Sequence, residues 1–166
     1  KSLLSKNTKT TFVDDASDEN ITPLIAAASE GHTDITKMLI GANADVNSKD
    51  KDQTTALMAA AARGHTDIVE ALVKAGANIN DQNIDGHTAL MFAYNGKNQV
   101  ETLWERYQQF VKESEVESPD GSVDDGGTGP IIREALDSHR RMVDVLIKNG
   151  ADQNIKDKEG HVAKDF

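Results

Sequence analysis

One phrase of eighteen residues occurs twice in this sequence. "EGHTDITKMLIGANADVN" runs from Glu30 to Asn47, and "RGHTDIVEALVKAGANIN" runs from Arg63 to Asn80. The letters GHTDI occur at 31–35 and again at 64–68, an offset of 33. Self-similarity at a fixed period of about 20–50 residues is typical of proteins built from stacked repeats, in which each repeat packs against its neighbours. The sequence therefore predicts a repeat architecture.

The similarity extends upstream of this phrase and into a third copy. Stretches 20–47, 53–80 and 86–98 align when they are stacked, and each places a threonine at the same point: Thr22, Thr55 and Thr88. The runs "PLIAAAS" and "ALMAAAA" are rich in alanine and favour a first helix that is thin enough for close stacking. The run "DIVEALVK" has apolar residues at helical spacing and predicts a second helix.

This pattern resembles the ankyrin repeat over about 21–98 and 138–166, because its T-P-L-H-x-A opening and its G-H, I-V and G-A-D-x-N elements are all legible in these copies. The resemblance implies an all-α fold: an ankyrin-repeat solenoid of helix-turn-helix units with short β-turn fingers. The expected units are a degenerate N-terminal repeat or cap at 1–19, repeats at 20–52, 53–85 and 86–157, and the opening of a fourth repeat at 158–166. Since that opening stops inside an expected helix, we expect the native protein to continue beyond Phe166.

Four positions in the sequence are expected to have a left-handed backbone, or to be strained by one. Gly76 and Gly150 follow the second helix, where a left-handed residue is needed, and Asn43 is the equivalent residue in the first copy. Gln53 occupies the turn position that is glycine in later copies, so a positive φ there would strain the backbone.

The third copy of the phrase, "SHRRMVDVLIKNGADQN" at 138–154, comes late: its glycine, expected at position 109, is Gly150. The insertion, about 98–137, has amphipathic stretches on both sides of an acidic, turn-rich loop at 114–129. We expect both helices of the third repeat to lengthen into an antiparallel hairpin beyond the stack, with a kink at Gly96. The apolar residues expected on its faces are Val100, Leu103, Trp104, Tyr107, Phe110 and Val111 in the first stretch, and Ile131, Ile132, Ala135, Leu136, Met142, Val143 and Leu146 in the second.

Five of the seven aromatic residues lie between Phe92 and Phe110, and aromatic clusters are used by binding hot spots. For Trp104 and Phe110 the preferred interpretation is packing between the two long helices. For Tyr94 and Tyr107 packing and partner binding stay equally open, because a tyrosine hydroxyl prefers a wet edge.

The composition disfavours several classes of function. The 166 residues carry a net charge of -10, which disfavours nucleic acid as a partner, and they include no cysteine. No apolar run is long enough to insert directly into a membrane. His32, His65 and His139 recur at one repeat position and are interpreted as structural, and a calcium-like stretch at 120–131 lacks the final glutamate. The sequence therefore predicts no enzyme activity, no metal site and no cofactor, and it does not indicate a compartment.

The resemblance implies that fingers and first helices line a concave surface that binds proteins. Ile25, Met58 and Met91, spaced by 33, either line this groove or pack between repeats, and packing is preferred. The candidate partner-binding residues are Ile25, Ser29, Lys51, Asp52, Met58, Arg63, Ile84, Asp85, His87, Met91, Tyr94, Asn95, Trp104 and Tyr107.

We expect a non-enzymatic scaffold or adaptor, a subunit of a complex, that binds a protein with a basic or apolar segment through the concave groove and the inserted helical hairpin. The alternative is a regulatory ankyrin section of a larger enzyme or membrane protein.

Overall fold

The computed structural model describes residues 17, 19–113 and 127–166. Within these ranges the chain forms six α-helices, a short 3-10 helix and no strand beyond an isolated bridge. The helices are α1 Pro23–Glu30, α2 Thr33–Gly41, α3 Ala56–Ala62, α4 Thr66–Lys74, α5 Ala89–Glu113 and α6 Thr128–Lys148, and the 3-10 helix is Ala163–Asp165. Nearly all of the expected N-terminal cap, most of the acidic loop and the first part of the calcium-like stretch lie outside the described residues.

The repeated threonines start the first helix of each repeat. The Thr22 and Thr55 hydroxyl oxygens each accept a hydrogen bond from the backbone N–H three residues later, at 3.3 Å, and Thr88 repeats this bond to Met91 at 3.4 Å. Such caps satisfy one of the free N–H groups at a helix start. The repeat period is therefore set by a local bond as well as by packing.

The helices stack in two layers with one core between them. The first helices α1, α3 and α5 pack in that order, and the second helices α2, α4 and α6 form the other layer. Small alanines let the first helices approach one another, while larger residues fill the space between layers. The largest fully buried core side chains include Leu24, Leu57, Ile68, Leu72, Leu90 and Leu146. This confirms the all-α solenoid.

The turn positions behave as the sequence predicts. Asn43 has φ 62°, in register with Gly76 at 89° and Gly150 at 96°. Gln53 has φ 61°, a region that side chains with a Cβ rarely adopt. The positive φ on which the expected strain depends is therefore present at Gln53. Backbone bonds from Lys51 to Glu19 and from Ile84 to Asp52 hold this turn between its neighbours.

Helices α5 and α6 are 25 and 21 residues long and run beyond the ends of α3 and α4. Arg140 of α6 bonds Glu101 of α5 at 3.2 Å. The His139 ring lies where a Cβ on Gly96 would come within 2.8 Å of it, and a Cβ on Gly64 within 2.9 Å. Gly96 therefore makes room for the His139 ring, a role that the sequence did not suggest. Below, "the α5–α6 extension" means residues 98–113 and 127–137.

Candidate binding surface

Four finger turns share one hydrogen-bond pattern. In each, the side chain of the first residue accepts bonds from the backbone N–H groups two and four residues later. In turn 50–54, Asp50 Oδ1 accepts from Asp52 at 2.9 Å and from Thr54 at 2.8 Å. The turns at 17–21, 83–87 and 157–161 repeat it with Ser17, Asn83 and Asp157 as acceptors. The fingers therefore have a common shape and present equivalent residues.

Backbone bonds join each finger to the next. The N–H of Lys51 donates to Glu19 O at 3.0 Å, that of Ile84 to Asp52 O at 2.9 Å, and that of Lys158 to Asp85 O at 3.0 Å. The bonds place the tip residues in a row along one edge of the stack. Lys51, Asp52, Ile84 and Asp85, all candidate residues, are exposed on it. Lys51 also pairs with Glu19 at 2.8 Å.

A groove of about 390 Å³ lies between α1, α3 and their fingers. Its apolar residues come from both repeats, and its polar residues lie around them. The apolar residues are Ile21, Ile25, Ala26, Ala59 and Ala62, and the polar ones are Ser29, Glu30, Asp50, Thr54 and Arg63. The groove thus brings together the candidates Ile25, Ser29 and Arg63.

Two candidate residues are corrected by their burial. Met58 and Met91 are almost completely buried, because each side chain packs in the hydrophobic core. The interpretation preferred from sequence, packing between repeats, is confirmed for both, and their inclusion among the candidate partner-binding residues was wrong. Ile25 is buried too, although its side chain contributes to the floor of the groove.

The candidate residues of the third repeat differ from one another in their contacts and exposure. The His87 ring packs edge-on against Phe92, with centroids 5.6 Å apart, and against Phe166 at 5.4 Å. His87 is therefore partly covered by its own chain. Asn95 is exposed, and Tyr94 is half-buried with the Lys97 ammonium 5.8 Å from its ring centroid.

The aromatic residues of the α5–α6 extension differ in their exposure to solvent. Trp104 and Tyr107 are half-buried and stack at 5.5 Å with an interplanar angle of 25°. Phe110 is 62% exposed and Leu103 is 49% exposed. The preferred interpretation of Phe110 as packing between the helices was wrong. On α6, Ile131 is 67% exposed and does not join the buried stripe that contains Ile132 and Leu136.

Leu103 and Phe110 are in helical register with Phe92, the repeat equivalent of two residues that line the groove. Ala26 and Ala59 line the groove, and Phe92 is the equivalent residue of the third repeat. Leu103 and Phe110 follow Phe92 by eleven and eighteen residues, about three and five helical turns, so they project in nearly the same direction from α5. We call Ala26, Ala59, Phe92, Leu103 and Phe110 the apolar row. This angular register was a signal in the sequence for residues that the candidate set missed.

Asp157 anchors the end of the described stack. Its side chain is buried, which by itself would raise the pKa, but the backbone N–H groups of His161 and Glu159 and the His161 ring outweigh this effect and lower the pKa. His161 Nδ1 lies 3.3 Å from Asp157 Oδ2, and His87 Nε2 lies 3.6 Å from the same atom. The carboxylate thus joins two fingers.

Two of the repeated histidines make different bonds, His65 to the neighbouring repeat and His139 within its own helix. His65 Nε2 lies 3.1 Å from the Ser29 carbonyl oxygen, and His139 Nδ1 lies 2.8 Å from that of Ala135. Within ranges 19–113 and 127–166, no three His, Asp or Glu side chains are grouped so that they could hold a metal ion. A search of the same ranges finds no helix with the length and apolar character that crossing a membrane requires.

Comparison with protein-family models identifies a family for this chain. A family model described as ankyrin repeats (3 copies) matches residues 1–83, which is half of the chain. No curated protein matches the sequence.

Proposed function

The chain belongs to the ankyrin repeat family, whose members are generally protein–protein interaction modules, and from this we propose that it acts as a non-enzymatic scaffold or adaptor within a larger assembly. Its partner lies along the concave groove and reaches the α5–α6 extension. The observation that carries this proposal is the exposure of Leu103 and Phe110 on α5, in helical register with Phe92, whose repeat equivalents Ala26 and Ala59 line the groove. Large exposed apolar side chains that continue a concave surface favour a partner that covers both.

The charges around the groove support a partner segment with basic and apolar residues. The second residue after each finger's acceptor is acidic in all four fingers: Glu19, Asp52, Asp85 and Glu159. Lys51 neutralises Glu19, whereas Asp52 and Asp85 are exposed and have no ion pair with a described residue. Basic side chains of a partner are therefore attracted to the fingers, and apolar ones fit between Ile21 and Ala59.

Partner binding by variants of the full chain tests the proposal. A protein captured by the wild-type chain would be purified, and its dissociation constant measured against the double variant Leu103→Ser, Phe110→Ser. If this part of the row contains a hot spot, the loss is about 2 kcal/mol or more, or roughly thirtyfold in affinity. The matched control is Ile131→Ser, which removes a similarly exposed apolar side chain from the extension but lies outside the apolar row.

A second pair of variants separates the fingers from the extension. Asp52→Lys with Asp85→Lys should weaken binding, and the loss should shrink as salt rises, because screening weakens exposed charge pairs. Affinities that are unchanged in both double variants, with unchanged melting temperatures, would refute the proposed surface.

A further inference from the structure

The part of α5 that belongs to the α5–α6 extension carries two parallel stripes of residues. Within each stripe the residues follow one another by four, three and four positions, the spacing that packed helices use along their line of contact. All four side chains of one stripe are half-buried, and all four of the other are exposed. The half-buried stripe is Val100, Trp104, Tyr107 and Val111, and the exposed one, which we call the outward stripe, is Gln99, Leu103, Arg106 and Phe110.

The two stripes differ in exposure because only one of them faces α6. α6 packs against α5, and the ion pair between Arg140 and Glu101 joins the two helices beside the half-buried stripe. Each residue of the outward stripe comes one position before a residue of the half-buried stripe, so it is turned by about 100° around the helix axis. α5 therefore contacts one helix along one stripe and presents a second stripe of the same spacing to solvent.

We propose that the outward stripe binds an α-helix of the partner protein, with an acidic side chain of that helix facing Arg106. The outward stripe is part of the binding surface described under the proposed function, so the inference rests on that function and specifies the partner segment that covers the extension. Residues 98–113 of α5 span about 24 Å at 1.5 Å per residue, which is long enough for about four turns of a second helix.

A helix suits this surface better than an extended segment does. The backbone N–H and C=O groups within α5 bond to one another, so the outward stripe offers side chains and no backbone ladder to a partner. An extended segment on Leu103 and Phe110 would leave its own backbone groups unpaired in an apolar contact, which is unfavourable. A helix pairs its own backbone groups and brings only side chains to the contact.

Arg106 determines the charge that the partner helix needs. Arg106 is exposed between Leu103 and Phe110, and it has no ion pair with a residue of the described ranges. The nearest acidic residues along α5, Glu101 and Glu105, are turned about 130–170° from the middle of the outward stripe. Covering a guanidinium without a counter-charge is costly, so a helix that packs on this stripe has to bring an aspartate or a glutamate.

The same arginine argues against a second copy of this chain as the occupant. Two α5 helices related by a two-fold axis pair either antiparallel, with Leu103 against Phe110, or parallel, with each residue against its own equivalent. Both arrangements bring the two Arg106 side chains together near the centre of the contact, where like charges repel. A different protein with an acidic side chain at this point avoids the repulsion.

Two synthetic peptides test the inference on the full chain. Each forms an amphipathic helix of about 20 residues with leucines at heptad spacing, and the central position of the apolar stripe is glutamate in one peptide and lysine in the other. Fluorescence anisotropy at low salt measures their dissociation constants. We expect the glutamate peptide to bind the wild-type chain about tenfold more tightly than the lysine peptide, and the order to reverse for Arg106→Glu.

The overall charge and a matched variant make this comparison specific. A net charge of -10 by itself favours the lysine peptide, so a preference for glutamate reports the local effect of Arg106. The control Arg133→Glu makes the same charge change at another exposed arginine of the extension, on α6, and should keep the preference of the wild type. The double variant Leu103→Ser, Phe110→Ser should lose the binding of both peptides.

Each contrary result identifies what is wrong. Equal affinities of the two peptides, or no binding of either at about 1 mM, would overturn the inference. A glutamate peptide that binds equally well with a central proline, which breaks its helix, would overturn the helical form of the partner. If the peptides fail but a captured partner still loses affinity for Leu103→Ser, Phe110→Ser, the proposed function stands without this inference. Peptides that behave as expected beside a partner unaffected by that variant would instead contradict the proposed function.

Discussion

Replacing Gln53 with glycine should stabilise the protein. Gln53 has φ 61°, and the equivalent residues of the third and fourth fingers, Gly86 and Gly160, have φ 83° and 91°. A residue with a Cβ is strained in this region, whereas glycine adopts it freely. The Gln53 side chain is exposed, so its removal sacrifices no packing. Gln53→Gly therefore relieves strain at a position where the chain itself uses glycine twice.

The magnitude follows from two opposing effects. A non-glycine residue in the left-handed region costs about 1–2 kcal/mol. Glycine makes the unfolded chain more flexible, which offsets about 0.4–1 kcal/mol of that gain. The net increase in the free energy of unfolding is then about 0.5–1 kcal/mol. For a chain of this size, that corresponds to a rise in melting temperature of about 1–4 °C.

Thermal and urea unfolding of the two proteins would measure the change. The matched control is Gln108→Gly, because Gln108 is exposed in the middle of α5 and has an ordinary helical backbone. That substitution should lower stability by about 1 kcal/mol, the usual cost of glycine within a helix. An unchanged or lower stability of Gln53→Gly, beside the expected loss in the control, would show that the turn is not strained.

Three further predictions concern the core, the helix pair and pH. Leu72→Ala should cost about 2–5 kcal/mol in urea unfolding because Leu72 is fully buried, and a loss below about 0.5 kcal/mol would contradict the repeat frame. Gly96→Ala should lower stability by about 1–2 kcal/mol despite the better helix propensity of alanine, because the new methyl group would meet the His139 ring; an increase in melting temperature would contradict this packing. Asp157 has a lowered pKa in the folded state, so its contribution to stability is present above about pH 4 and is lost as pH falls through the folded pKa. The melting temperature of Asp157→Asn should therefore fall less than that of the wild type between about pH 5 and pH 3, and parallel curves would contradict the assignment.

The repeat core could be predicted from sequence because its determinants are local. Thr55 caps its own helix, and Asn43 takes a left-handed φ that its position after a helix implies. Each such feature involves residues within about four positions of each other, and the repeat period carries it from one copy to the next. A local rule that repeats in register leaves few alternative folds.

Exposure within the α5–α6 extension could not be predicted in the same way. A helical stripe shows which residues share a face, but whether that face is covered depends on a neighbour that is distant in sequence. Phe110 and Trp104 belong to one predicted stripe, yet Trp104 is half-buried and Phe110 is exposed. Burial of Met58 differs from this case, because packing between repeats was the interpretation preferred from sequence and it is confirmed.

The regular finger contacts on both sides of the third repeat agree with the place at which the sequence predicts the insertion. It lies at the ends of α5 and α6 that are far from the fingers, while the turn at Gly150 keeps the left-handed geometry of the earlier repeats. The backbone bond between the third and fourth fingers is 3.0 Å long and that between the second and third is 2.9 Å, although the insertion separates the former pair much more widely in sequence. Because the finger contacts are alike on both sides of the third repeat, we expect that residues of the extension can change without altering the groove. The two parts of the proposed binding surface can therefore be mutated separately, which is the condition that the variants at Leu103 and Phe110 require.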